Sequence, residues 1–227
     1  MATHTFMFIQ HHKYRQFITL LIQVAMLACL LILPNAYAEH NSAELKPKKL
    51  LVLGDSLSAA YGIETEKGWV NLLAKHLKQL KPTYHVVNAS ISGETTAGAL
   101  QRLPKLLDQY QPAIIIIELG GNDGLRGFPI QQFRQNLSKM IELSQAANAK
   151  VLLTGIRIPP NYGKRYTQLF FDSYNIIADN FNVTLVPFLL KGIATQPQLM
   201  QADRVHPTTA AQPQILQNVL PYLKAIL

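Results

Sequence analysis

The sequence predicts an α/β domain: a three-layer α/β/α sandwich around a five-stranded, mostly parallel sheet. Three observations carry this expectation. Short apolar runs alternate with stretches of helical periodicity from Lys49 to the C-terminus. One run, "AIIIIEL" over 113–119, is almost unbroken and rich in isoleucine, as expected of a central strand buried on both faces. The β-α-β-α-β-α order favours parallel strands joined by right-handed crossovers, with helices on both sides.

The N-terminal part stands outside that domain. Lys13 and Arg15 precede an apolar run from Phe17 to Leu33, interrupted only by Thr19 and Gln23. Pro34 and then Ala36-Tyr37-Ala38 follow, a small-x-small cleavage pattern. Residues 1–38 are therefore expected to be a secretory signal cleaved after Ala38. A retained anchor is the alternative, because a run of about 17 apolar residues approaches bilayer-spanning length. A lipid at Cys29 is a weaker one, since the apolar run continues past it. Residues 39–48 are expected to be a loose tail and 49–227 the domain, in the periplasm or outside the cell.

Cleavage removes Cys29, the only cysteine, so the mature chain has neither disulfides nor a thiolate zinc site. It leaves 19 basic and 13 acidic residues, a formal charge of +6. The basic residues are scattered in pairs such as Lys48-Lys49 and Lys164-Arg165, without a stripe suited to nucleic acid. Membrane contact is expected to be peripheral at most.

Strands are expected at 50–53, 85–87, 113–119, 151–156 and 183–186. Trp69, Leu73, Leu77 and Leu80 mark the apolar face of one helix. Ile130, Phe133, Leu137, Met140 and Ile141 mark another, and Ile215, Leu216, Val219, Leu220 and Leu223 mark the last. Ligands of such sheets bind beyond the carboxyl ends of the strands. The loops there read "GDSLSAAYG", "NASISGETT", "GGNDGLRG" and "RIPPNYGKRY", with "DRVHPT" near the end.

These loops hold the parts of nucleophilic serine chemistry, which needs a base, an orienting carboxylate and donors for an oxyanion. The first strand delivers Ser56 onto a glycine-bearing turn, and Ser58, Ala59 and Ala60 are small enough to leave its approach clear. His40 is in the tail, His76 in a helix and His85 at a strand start. Only His206 falls on the ligand edge, with Asp203 three residues before it. A tight turn there could fold the carboxylate onto Nδ1 and leave Nε2 free for Ser56. Gly93 offers an unhindered N–H, Asn122 an amide, and Ser56 its own N–H. Each glycine could equally serve plain turn geometry, and Asn122 a cap.

Other chemistries fit less well. The glycines of "LGGNDGLRG" match neither G-x-G-x-x-G nor a P-loop. Asp55 and Asp123 could be paired carboxylates for glycoside hydrolysis. The simpler expectation is that Asp55 braces the serine turn and Asp123 caps the next helix.

Together, Gly54-Asp55-Ser56-Leu57, Gly93, Gly120-x-Asn122-Asp123 and Asp203-x-x-His206 resemble, in order, the four blocks of the SGNH, or GDSL, hydrolase family. The resemblance spans nearly the whole mature chain and implies that family's flavodoxin-like fold. It implies Ser56 as nucleophile, His206 as general base and Asp203 as its orienting partner. The oxyanion hole would comprise Ser56, Gly93 and Asn122, with no cofactor and no metal. It further implies a shallow acyl site with broad ester and thioester tolerance. Residues 62–67 depart from the family's usual acyl-site margin, which leaves chain length open.

The expected activity is hydrolysis of fatty-acyl esters and thioesters through an acyl-enzyme, by a monomer acting on small acyl substrates that include lysophospholipids. The acyl margin would be Ile91, Leu125, Ile158, Pro159 and Tyr162. The alternative on the same fold is O-deacetylation of polysaccharide or peptidoglycan, which the apolar "GLRGFPI" and "IRIPPNYG" loops disfavour. A non-catalytic acyl-binding protein fits least, given the intact Ser56, Asp203 and His206 set.

Overall fold

A computed structural model describes residues 47–227 and, before them, only Leu21 and Gln23. The expected signal and its cleavage point lie outside the described residues, as does most of the expected tail. The tail's last residue, Lys48, is already in the first strand, paired with Tyr84.

The strands are β1 (Lys48–Gly54), β2 (Tyr84–Asn88), β3 (Ile114–Glu118), β4 (Lys150–Thr154) and β5 (Thr184–Val186). The helices are α1 (Trp69–Leu80), α2 (Thr96–Tyr110), α3 (Gly121–Leu125), α4 (Ile130–Ala146), α5 (Lys164–Phe181) and α6 (Gln212–Lys224). The sheet order is β2-β1-β3-β4-β5, and every pairing is parallel. The expected α/β/α architecture is present, with a sheet parallel throughout.

Alternation along the strands divides the core. Leu50 and Val52 of β1 and Ile114 and Ile116 of β3 pack with Trp69, Leu73, Ile215 and Val219 of α1 and α6. Leu51, Leu53, Ile115 and Ile117 face the other way, onto Leu103, Phe133, Leu137 and Phe170 of α2, α4 and α5. All four isoleucines of β3 are fully buried, each contributing roughly 1.5–3 kcal/mol. Such a strand is central because either face is covered. Leu80 departs from the expected stripe and is 58% exposed. It is the last residue of α1, where Lys81 N–H closes the helix on Leu77 and the chain turns away.

The order reverses direction between β1 and β3, the switch point where doubly wound sheets open a crevice. Ser56 follows β1 and Asn122 follows β3. Backbone pairing also carries the post-β2 loop alongside β1, with Ala89 N–H on Val52 O and Ile91 N–H on Gly54 O. That parallel run sets Gly93 beside the serine turn.

Candidate active site

Ser56 sits on a turn closed by Ala59 N–H to Asp55 O at 2.9 Å and by Tyr61 N–H to Ser56 O at 3.1 Å. Asp55 braces it as expected, its Oδ1 accepting Leu57 N–H at 3.0 Å. The small side chains after Ser56 act differently from the expectation. Ser58 is buried and its hydroxyl donates inward to Glu118, and Ala60 packs on Gly68. Their smallness lets the turn seat on the sheet end, while Ala59 is half-buried.

The other half of the pair comes from the far end of the chain. Asp203 Oδ1 accepts the N–H groups of Val205 and His206 at 2.9 and 3.0 Å. This folds the segment into a tight loop, with Arg204 in the left-handed region at φ 58°. Asp203 Oδ2 then lies 2.7 Å from His206 Nδ1, and His206 Nε2 lies 2.8 Å from Ser56 Oγ. A carboxylate on Nδ1 fixes the tautomer with the proton there, so Nε2 can accept the serine hydroxyl. The Asp203 side chain is 40% exposed against 17% for His206. Desolvation pushes the Asp203 carboxyl up. The backbone and side-chain hydrogen bonds of His206, with that of Val205, outweigh it and hold the pKa at about 2.

Three candidate donors lie past strand ends at the same edge of the sheet. Among the described residues, neither Ser56 N–H nor Gly93 N–H donates to a protein acceptor. Gly93 has φ +80°, and a Cβ there would meet nothing within 4 Å, so the glycine serves backbone conformation and leaves its amide open. Asn122 donates one N–H of Nδ2 to Asp55 Oδ2 at 3.2 Å, leaving the second for another acceptor.

Sequence reasoning missed the ties that hold these loops. Arg126 donates to Gly93 O at 3.1 Å, joining the post-β3 loop to the glycine loop. Tyr61 lays its ring 4.5 Å from the His206 imidazole, centroid to centroid. Gln201 donates to Tyr61 O and Pro207 O. Glu118 lies buried beneath the turn; its one legible signal was a charge in an otherwise apolar strand. Asp123 caps a different helix from the expected one. Its carboxylate accepts the backbone N–H and hydroxyl of Thr96, at the start of the preceding helix α2. It sits inside α3, and no side chain caps the N-terminus of α4.

The proposed acyl margin is uneven. Ile91, Pro159 and Tyr162 are exposed and Leu125 is half-buried. Ile158 is only 8% exposed, in the core cluster beneath Gly124. It therefore offers little surface to a substrate. A groove of about 550 Å³ between α4 and α5 includes none of Ser56, Asn122, Asp203 or His206 in its walls. Among the described residues no group of three or more His, Cys, Asp or Glu could hold a metal ion.

Residues 52–212 match the family described as GDSL-like lipase/acylhydrolase. The chain is 53% identical over 178 residues to Esterase TesA of Pseudomonas aeruginosa, covering 78% of this chain and 89% of that one. It is 48% identical over 164 residues to the Thioesterase 1/protease 1/lysophospholipase L1 of Escherichia coli K12, covering 72% and 77%. A crystal structure of TesA matches with a TM-score of 0.78 at 53% identity, over 79% of this chain and all of the other.

Proposed function

The chain belongs to the GDSL-like lipase/acylhydrolase family, and from that premise we propose that it is an exported serine hydrolase of fatty-acyl esters and thioesters. The observation that carries the reading is the 2.8 Å approach of His206 Nε2 to Ser56 Oγ. Relatives named esterase and thioesterase 1/lysophospholipase L1 support the substrate class.

In the proposed reaction His206 takes the Ser56 proton as Oγ attacks the acyl carbonyl. The N–H groups of Ser56 and Gly93 and the free N–H of Asn122 receive the oxyanion. His206 then protonates the leaving alcohol or thiol, and the acyl group stays on Ser56. Water, deprotonated by His206, attacks that ester and releases the fatty acid. Asp203 holds the imidazole in the required tautomer and stabilises its cation. Ile91, Leu125, Pro159 and Tyr162 border the acyl chain.

In this reading residues 1–38 are a cleaved secretory signal and the enzyme works in the periplasm; it acts as a monomer, on lysophospholipids and other small acyl esters. N-terminal sequencing of the exported protein should begin at Glu39; a start upstream of Phe17 would make the segment an anchor.

A fluorophosphonate probe tests the nucleophile. Intact-mass analysis should find one adduct per chain, mapped to Ser56 and absent in Ser56→Ala. An adduct that survives Ser56→Ala would remove the assignment.

A further inference from the structure

Beneath the nucleophile turn lies an acid that the acyl-transfer scheme leaves unused. Glu118 ends β3 opposite Gly54 of β1 and is fully buried. Its Oε2 accepts the Ser58 hydroxyl at 2.6 Å and, more weakly, Asp55 N–H at 3.3 Å. Its Oε1 has no hydrogen-bond partner. Among the described residues no lysine, arginine or histidine forms a salt bridge with it.

The titratable groups facing this pocket are Asp55 from the serine turn, Asp123 from α3 and Tyr174 from α5, with His206 facing Asp55. An ionised carboxylate here would be desolvated, half-unpartnered and beside another acid. Two carboxyls in such a place do not both ionise. Asp55 is the better host for the charge, because it accepts Leu57 N–H and an Asn122 N–H and faces His206. Burial, and then the charge of Asp55, push Glu118 well above the usual carboxyl range. Burial also raises Asp55, to about 6.

We propose that Glu118 is a positioning residue: a neutral buried acid that leaves the charge of the Glu118–Asp55 pair on Asp55, so that Asp55 aims the Asn122 amide at the acyl oxygen. An ionised carboxylate only accepts hydrogen bonds. Asn122 must therefore turn its NH2 toward Asp55, and the second hydrogen of that nitrogen serves the oxyanion. A protonated Asp55 could donate to Asn122 Oδ1 and permit the flipped amide. Gly54 belongs to the same device, since a Cβ there would lie 2.8 Å from both Glu118 Oε2 and Ser58 Oγ. The aiming role rests on the proposed oxyanion function of Asn122.

The test compares wild type, Glu118→Gln, Glu118→Ala, Asp55→Asn and Asn122→Ala by nitrophenyl butyrate kinetics and by thermal melting. Glutamine has the shape of a neutral acid, so Glu118→Gln should keep kcat within about threefold where Glu118→Ala loses about tenfold or more. Asp55→Asn should lower kcat by about ten- to a hundredfold with KM within about twofold. Melting separates a neutral acid from a merely space-filling one. The unfolded chain releases the Glu118 proton above its ordinary value of 4.5 and the folded chain keeps it. Wild-type stability therefore falls as pH rises from there toward the folded value, and Glu118→Gln escapes that fall. The variant should gain on wild type progressively as pH rises above about 5. Parallel melting profiles, or Glu118→Gln as impaired as Glu118→Ala, would overturn the neutral acid. Wild-type kcat in Asp55→Asn would overturn the aiming role. A silent Asn122→Ala would overturn the oxyanion reading and the aiming role with it, while the melting comparison would still decide the state of Glu118.

Discussion

His206 Nε2 lies 2.8 Å from Ser56 Oγ although the two residues are 150 positions apart in the chain. β1 ends in the serine turn, and the loop before α6 returns the histidine to the same sheet edge. A single carboxylate, Asp203, shapes that loop through two backbone N–H groups and orients the ring with its other oxygen.

His206→Ala should lose about a thousandfold or more in kcat on a nitrophenyl ester. His76→Ala and His85→Ala should keep most activity, because one lies in α1 and the other in β2, away from the serine. A His206→Ala variant of wild-type activity would remove the base assignment.

Asp203→Asn should fold, yet lose up to about 10⁴ in kcat, because an amide can present its NH2 to Nδ1 and favour the wrong tautomer. The wild-type carboxyl is held at about 2, below its ordinary 3.8. A depressed pKa contributes stability that is complete above the unfolded value and lost as pH falls through the folded one. The melting difference between wild type and Asp203→Asn should thus not shrink above about pH 5, and should shrink toward pH 2. A difference that already shrinks between pH 7 and 5 would contradict the depressed carboxyl.

Asp123→Ala removes both acceptors from Thr96 and leaves a buried N–H at the start of α2 without its partner. The expected cost is about 1–3 kcal/mol in urea unfolding. Asp123→Asn should recover part of it, since the amide oxygen can still accept the Thr96 N–H. Equal stability of Asp123→Ala and wild type would refute the cap.

Acyl-chain preference follows from the exposed margin of Ile91, Pro159 and Tyr162. Each buried methylene contributes up to about 0.8 kcal/mol, so kcat/KM should climb from nitrophenyl acetate through butyrate to octanoate. It should level off once further carbons stay in water. If acetate is best and octanoate is hardly turned over, the O-deacetylase alternative takes the place of the fatty-acyl reading.

The architecture was legible in the sequence, and so were the four loops that carry the candidate site. Strand runs, helical stripes and the Asp203-x-x-His206 spacing are local patterns, and local chemistry sets them: burial of β3 on both faces, or one carboxylate reaching back across three residues. What the sequence by itself determined is therefore the layered parallel sheet and the identity of the groups on its carboxyl edge. Tertiary structure alone decided which side chains of those loops face inward. Ser58 looks like an open-turn serine until Glu118, 60 residues away, is found to accept its hydroxyl. Asp123 looks like a cap for the helix that follows until Thr96 is found within its reach. Ile158 looks like a wall of the acyl site until Gly124 is seen packed over it. In each case the deciding partner comes from a different strand end, and only the folding of the sheet brings the two together.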